Sequence, residues 1–169
     1  AIAPLVAPTM SLAFWAALTA VVSSVVIALL TAKRAAWLRS LVSGTELVLT
    51  SAPSFVLGIG LLLVFAFQLH LFPVAGSQGW RSMVLPVLTL AIPATAMLTQ
   101  VLRQELEDIL DQPFITMARA RGLSEAGVRL KHALRHALTP LITLSGFMFA
   151  FLLGGAVITE NLFARQGLG

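Results

Sequence analysis

Hydrophobic residues in this chain come in long uninterrupted runs, not in the alternation of a half-buried strand. Residues 11–32 carry no charge, and about 20 apolar residues are enough for a helix to cross a bilayer. A second run covers 47–69 and contains Pro53, Gly58 and Gly60. A short polar stretch from His70 to Arg81 follows, with Pro73, Gly76 and Gly79 as turn residues. The third run, 82–102, contains Pro86 and Pro93, which a membrane helix tolerates because its neighbours satisfy the freed carbonyls. A long polar segment, 103–139, separates it from the last run, 140–159, which carries Gly154-Gly155. The pattern predicts four spans in an all-α, polytopic membrane helical bundle. The first run is too long for a signal peptide, and no basic segment precedes it.

Composition agrees. Charged residues make up 11% of the chain, hydrophobic ones 58%, and the mean hydropathy is +0.94. A soluble domain carries about 25% charged residues, so lipid is the solvent that this chain expects. No cysteine is present, which removes disulfides and thiolate metal sites. Ala1 stands where a start methionine would, and Gly169 ends a non-helical glycine-rich stretch. Both ends read as cut, giving a single transmembrane domain over 1–169 without its flanking spans.

The net charge of +4 sharpens the picture through its distribution. Lys33, Arg34 and Arg39 follow the first run; Arg103, Arg119, Arg121, Arg129, Lys131 and Arg135 follow the third. Alternating spans put both groups on one side, and the other side keeps Arg81 and Arg165. The positive-inside rule makes the basic side cytoplasmic. Aromatics do not interleave with the basic residues, which argues against nucleic acid.

The segment DQPFITMARARGLSEAGVRLKHALRHALTP, from Asp111 to Pro140, is the most informative. Asp111 is placed to cap a short helix, Phe114 to Arg121, with Pro113 in its first turn. Gly122 suits a left-handed helix end, and Ser124 suits the cap of a second helix running toward the membrane. On that helix Leu130, Leu134, Ala137 and Leu141 fall on one face, with Arg129, Lys131, His132, Arg135 and His136 around them. The product is a helix-turn-helix elbow at the membrane surface. It serves either as an interfacial anchor on anionic headgroups or as a docking element for a soluble partner.

These residues resemble the coupling loop of ABC importer permeases, the binding-protein-dependent transport family. The general signature of that family is Glu-Ala-Ala, three residues, Gly, nine residues, Ile-x-Leu-Pro. With its glycine on Gly122, only Ala118 and Leu134 match. The peptide and nickel branch departs from the signature in the same way, with loops like RTARAKGLS and RHALRNALLP. This chain has TMARARGLS and KHALRHALTP, the latter ending on Pro140. Leu71 to Gly76, LFPVAG, is similar to that branch's WFPVSG, and Gly154 to Gly169, GGAVITENLFARQGLG, to its GGAVVVETVFxxPGLG. Gln166 stands where the branch often has proline.

The resemblance implies a transmembrane permease subunit of an ATP-driven importer in the bacterial cytoplasmic membrane. Such a subunit passes peptides or nickel and other metal chelates by alternating access. The chain has no Gly-x-x-x-x-Gly-Lys-Ser/Thr loop, so it is not the enzyme. ATP and Mg fall to a separate cytoplasmic subunit, and no cofactor or metal is expected in this chain. The implied partners are two ATPase subunits, a second permease subunit and an external solute-binding protein. Docking to the ATPase falls on Phe114, Ile115, Met117, Ala118, Arg119, Ala120, Arg121 and Gly122. Glu160, matching a branch glutamate, is a candidate gate or scaffold residue.

Other residues read more plainly. Glu46 is expected to be a solvated edge residue, and His70 to lie at headgroup level. Gly58, Gly60, Gly154 and Gly155 suit close helix packing. Ser23, Ser24, Ser51, Ser54, Thr89, Thr95 and Thr99 either line a polar path or bond their own helices. His132 and His136 lack the carboxylate of an HExxH site. The rival readings are a non-ABC transporter or channel, and a scaffold whose elbow only binds lipid. A carboxylate chain or carbonyl filter is missing for the first; co-purification of an ATPase separates the second.

Overall fold

The computed structural model describes residues 3–76 and 79–169. Ser77 and Gln78, in the turn between the second and third runs, lie outside the described residues. The described chain is helical: α1 Ala3–Thr31, α2 Ala36–Ser51, α3 Ser54–Gln68, α4 Arg81–Leu110, α5 Pro113–Ala120 and α6 Glu125–Leu162. The last turns of α3, Leu62–Gln68, and an early stretch of α6, Val128–Ala133, are π-helical. Helices α1, α4 and α6 are each long and apolar enough to cross a membrane; α2 and α3, bent by 104° against each other, reach that length and composition only when taken together.

Helix α1 packs more by size than by polarity, with Leu12 the large side chain in its buried face. Thr9, Ala13, Ala16, Ala20, Ser24 and Ala28 recur every three or four residues and are fully buried, while Phe14, Trp15, Leu18, Val22, Val26 and Leu30 point outward. Small residues inside let the α1 backbone approach α4 and α6, the favoured solution where lipid gives large apolar side chains no reason to hide. Facing this stripe are Leu90, Ala91, Ala94, Leu98, Leu102 and Leu106 of α4 and Ala137, Leu141, Met148, Leu152 and Ala156 of α6.

The second run is not one straight helix. Its helical segment starts earlier, at Ala36, and breaks by 104° between Ser51 and Ser54. A residue before proline is driven out of the α region, and Ala52, before Pro53, sits at φ −76°, ψ 130°. The third run behaves as expected at Pro86 and Pro93, which stay inside a continuous α4. That helix continues eight residues past position 102, to Leu110, because Leu106, Ile109 and Leu110 extend its buried stripe. Helix α6 has 38 residues, roughly 57 Å at 1.5 Å per residue. A hydrocarbon core of about 30 Å leaves its first turns beyond the membrane.

Long-range contacts set the directions. At one end Lys33 pairs with Asp111, and Arg129 reaches the carbonyls that end α1. At the other Thr9 meets Glu160, and Arg165 meets the carbonyl of Ser82. Thus α1 and α4 run parallel and α6 antiparallel. The α2–α3 pair climbs between the ends, from Arg39 beside Glu107 to Gly58 beside Thr89 and Leu162. Both basic segments therefore lie at the same end.

Candidate functional site

The elbow at the basic end is built from local rules. Gln112, not Asp111, occupies the N-cap of α5, without a side-chain cap bond, and Pro113 follows in the first turn. Asp111 instead closes α4, and its carboxylate accepts from Lys33 Nζ at 2.6 Å; that cation was a stronger partner than the α5 amides. Helix α5 ends in a Schellman pattern: Gly122 N–H donates to Arg119 O at 2.9 Å and Leu123 N–H to Ala118 O at 3.4 Å. Gly122 has φ +81° with open space around a built Cβ, so it is needed for backbone conformation and not for room. Ser124 caps α6, its hydroxyl accepting from Gly127 N–H at 3.2 Å.

The eight candidate docking residues divide into two sets. Ile115 and Ala118 are buried against the bundle and hold α5 in place, so they offer no surface to a partner. Phe114, Met117, Arg119, Ala120, Arg121 and Gly122 remain exposed, Met117 by 58%. Phe114 also meets the His136 ring edge-on, centroids 5.3 Å apart. Arg119 Nε donates to Glu125 Oε1 at 2.7 Å, a bond that raises the guanidinium pKa above its ordinary value.

The face of α6 also differs from expectation. Leu130 is exposed and Leu134 half-buried; the inward positions are Val128, Ala133, Ala137 and Leu141. The π-helical stretch adds one residue to the first interval, which becomes five, and this rotates the face. Invisible to sequence periodicity, the rotation turns Arg129 toward α1, where its Nη1 donates to Leu29 O at 3.2 Å and Ala32 O at 2.8 Å. A cation at a helix C-terminus satisfies orphan carbonyls and complements the dipole. Together with Lys33–Asp111 it ties the elbow to the end of α1, and Arg39–Glu107 joins α2 to the last turns of α4 beside it.

Two glutamates are buried inside the bundle. Glu46 is not a solvated edge residue: it is 4% exposed, and Arg103, placed by sequence in a polar loop, is 6% exposed inside α4. Their contact is bidentate, Nη1 to Oε1 at 2.8 Å and Nη2 to Oε2 at 2.7 Å, and Nη2 also donates to Ser43 Oγ at 3.1 Å. Residues 57 positions apart gave no local signal beyond opposite charges at the ends of two apolar runs. Glu160, wholly buried, accepts from Thr9 Oγ1 at 2.7 Å and from Gly169 N–H at 3.1 Å, while Leu168 N–H donates to Thr9 Oγ1 at 3.0 Å. A Cβ on Gly167 would overlap the Glu160 carboxylate. The terminal GLG segment is thereby seated against α1 and α6. Arg165, nearby, is pushed below its ordinary pKa by burial, with Glu160 acting in the opposite sense.

Two cavities flank this frame. One of about 440 Å³ lies between α1, α2 and α4, with Ser23, Thr95, Thr99 and Glu46 on its walls. The other, about 610 Å³, lies between α3, α4 and α6, with Ser54, Met97, Met148, Phe151 and Gly154. Of the candidate hydroxyls, Ser24 and Thr89 bond their own helices and line neither cavity. Thr99 bonds its own helix and lines the first cavity as well. Gly58 and Gly155 are close-packing glycines, against Leu162 and Thr89 and against Leu90; a Cβ on Gly60 or Gly154 would meet nothing within 4 Å among the described residues.

Comparison with known proteins agrees with this geometry. Residues 24–169 match the family described as binding-protein-dependent transport system inner membrane component, and the chain belongs to that family. It is 40% identical over 119 residues to the glutathione transport system permease protein GsiC of Shigella flexneri and of Escherichia coli K12, and 39% identical to that of Salmonella choleraesuis. Each alignment covers 70% of this chain and 39% of the relative, so the matched part is well under half of those proteins. A crystal structure of an amino acid ABC transporter with histidines superposes with TM-score 0.68 over 95% of this chain and 71% of the other, at 18% identity. It shares the fold.

Proposed function

We propose that this chain is the translocating part of a permease subunit in an ATP-driven importer, and that the elbow is where ATP hydrolysis by a separate subunit is felt. The observation that carries the reading is mechanical: α5 hangs on buried Ile115 and Ala118, while its exposed side offers Phe114, Met117, Ala120 and Arg121. A push on the elbow passes through Lys33–Asp111 and Arg129 into α1, and through the end of α4, by way of Arg39–Glu107, into α2. Closure of an ATPase pair would therefore rock the spans as a body, opening the bundle alternately to either side. In this reading the basic end faces the cytoplasm of a bacterial inner membrane, across which four segments pass. A second permease subunit, two ATPase subunits holding ATP and Mg, and an external solute-binding protein complete the assembly.

The cargo is a small solute, a peptide or a metal chelate. Glutathione, named for the relatives, favours the peptide side of the peptide-or-metal-chelate choice. The cavity walls are largely apolar, broken by a few hydroxyls.

The test is retention of the ATPase subunit on the purified complex. Truncating a central anchor costs about 2 kcal/mol or more, roughly thirtyfold in affinity, so Met117→Ala should release the ATPase. Gly122→Val should uncouple ATP hydrolysis from transport through a backbone strain of about 1–2 kcal/mol, with insertion unchanged. Full retention with Met117→Ala and full transport with Gly122→Val would leave α5 as a lipid anchor only.

A further inference from the structure

Beside the elbow, on the outer face of α1, lies a groove that docking does not use. It measures about 410 Å³ and runs between α1 and the start of α6. Val26, Leu29, Leu30 and Leu130 form its apolar part, and Arg34 and Arg129 its end. Leu30 and Leu130 are 59% and 58% exposed, so the apolar part of the groove is open.

The two arginines are unneutralised. Among the described residues neither has a carboxylate in ion-pair contact. Glu125, also on the rim, is held by Arg119. Arg34 spends Nε on Leu30 O at 3.3 Å, and Arg129 spends Nη1 on the end of α1. Burial holds the Arg129 guanidinium below its ordinary pKa, with Arg34 acting in the same sense and Glu125 against it. Two forks of N–H donors above an apolar slot, at the level where a membrane helix leaves hydrocarbon, match one molecule: phosphate above, acyl chain below.

We propose that this groove is a binding site for an anionic phospholipid, with the phosphate between Arg34 and Arg129 and an acyl chain along Val26, Leu30 and Leu130. A bound phosphate would relieve the repulsion between the guanidiniums and stiffen the joint between α1 and the elbow. The site does not depend on the importer reading; it needs only a membrane whose surface meets the end of α1.

The experiment uses the intact complex in nanodiscs of mixed phosphatidylethanolamine and labelled phosphatidylglycerol, counting lipids retained after extraction by native mass spectrometry. Wild-type protein should retain phosphatidylglycerol selectively. Arg34→Gln should weaken that retention about fivefold, the yield of one basic residue near an anionic surface. Arg129→Gln should do at least as much, and Lys131→Gln, on α6 but outside the groove, should do nothing. Arg34→Gln keeps the Arg129 bonds to Leu29 O and Ala32 O and gives up only the longer one to Leu30 O, so it remains informative if Arg129→Gln misfolds. Unchanged retention in Arg34→Gln, or equal loss in Lys131→Gln, overturns the site. Displacement by inorganic phosphate would assign the arginines to a soluble anion. Release of the ATPase by Arg34→Gln with lipid retention intact would assign them to the partner; either result also overturns the proposal.

Discussion

The two buried glutamates solve the same problem at opposite ends of the bundle by different means. Glu46 is neutralised by a full opposite charge, in a bidentate contact with Arg103 across two helices. Glu160 has no arginine in ion-pair contact among the described residues and is held by a hydroxyl and a main-chain N–H. The difference follows from what each joins. A charge pair fixes one side chain of α2 to one of α4 and leaves the rest of α2 exposed, Trp37, Leu41, Leu47 and Val48 included. Amide and hydroxyl donors hold an irregular segment whose backbone groups need partners anyway. The first is a single strong rivet on an outlying helix; the second spreads the load over α1, α6 and the segment after it.

If so, the largest effect should come from splitting the pair. Arg103→Met leaves an uncompensated buried carboxylate, a loss of about 3–5 kcal/mol. Adding Glu46→Met should recover most of it, because an apolar pair in an apolar place is tolerated. Thermal unfolding of the two single variants and the double variant reads the coupling directly. A double variant no more stable than Arg103→Met would mean that the pair does more than cancel charge.

Glu160 should behave as an acceptor more than as a charge. Glu160→Ala strands the Gly169 N–H and leaves the Thr9 hydroxyl only its longer bond to Leu5 O at 3.3 Å, costing about 1–3 kcal/mol, and should raise hydrogen exchange over 163–169. Glu160→Gln keeps a carbonyl acceptor and should lose clearly less. Equal damage from both would make the negative charge the essential feature and erase the contrast with Glu46. The smallest effect is expected at Ser43→Ala, which removes one partly buried bond to Arg103, about 0.5–1.5 kcal/mol. A larger loss in unfolding free energy would show that the rivet is a triad.

The elbow was legible in sequence because its determinants are local. A proline in the first turn, a glycine at the left-handed stop and a serine cap act within three or four residues of themselves, and each was found in place. Asp111 was misread for a non-local reason: Lys33, 78 positions away, takes its carboxylate. Glu46 was misread likewise, since only the packing of α2 on α4 shows that its carboxylate is out of water and beside Arg103.

The sequence by itself determined that this protein lives in lipid, where its long helices begin and end to within a few turns, and where the chain turns outside the membrane. Those properties follow from transfer free energies and backbone preferences, which are summed along the chain. Tertiary structure alone decided which faces of those helices meet. In α1 every face is apolar, so periodicity is silent and residue size sets the buried stripe. In α6 a single π-helical interval rotates the face, withdrawing Leu130 and presenting Val128 and Arg129 to α1. The 104° break at Pro53 sends α2 across α4 at an angle that the proline permits and the Glu46–Arg103 contact holds.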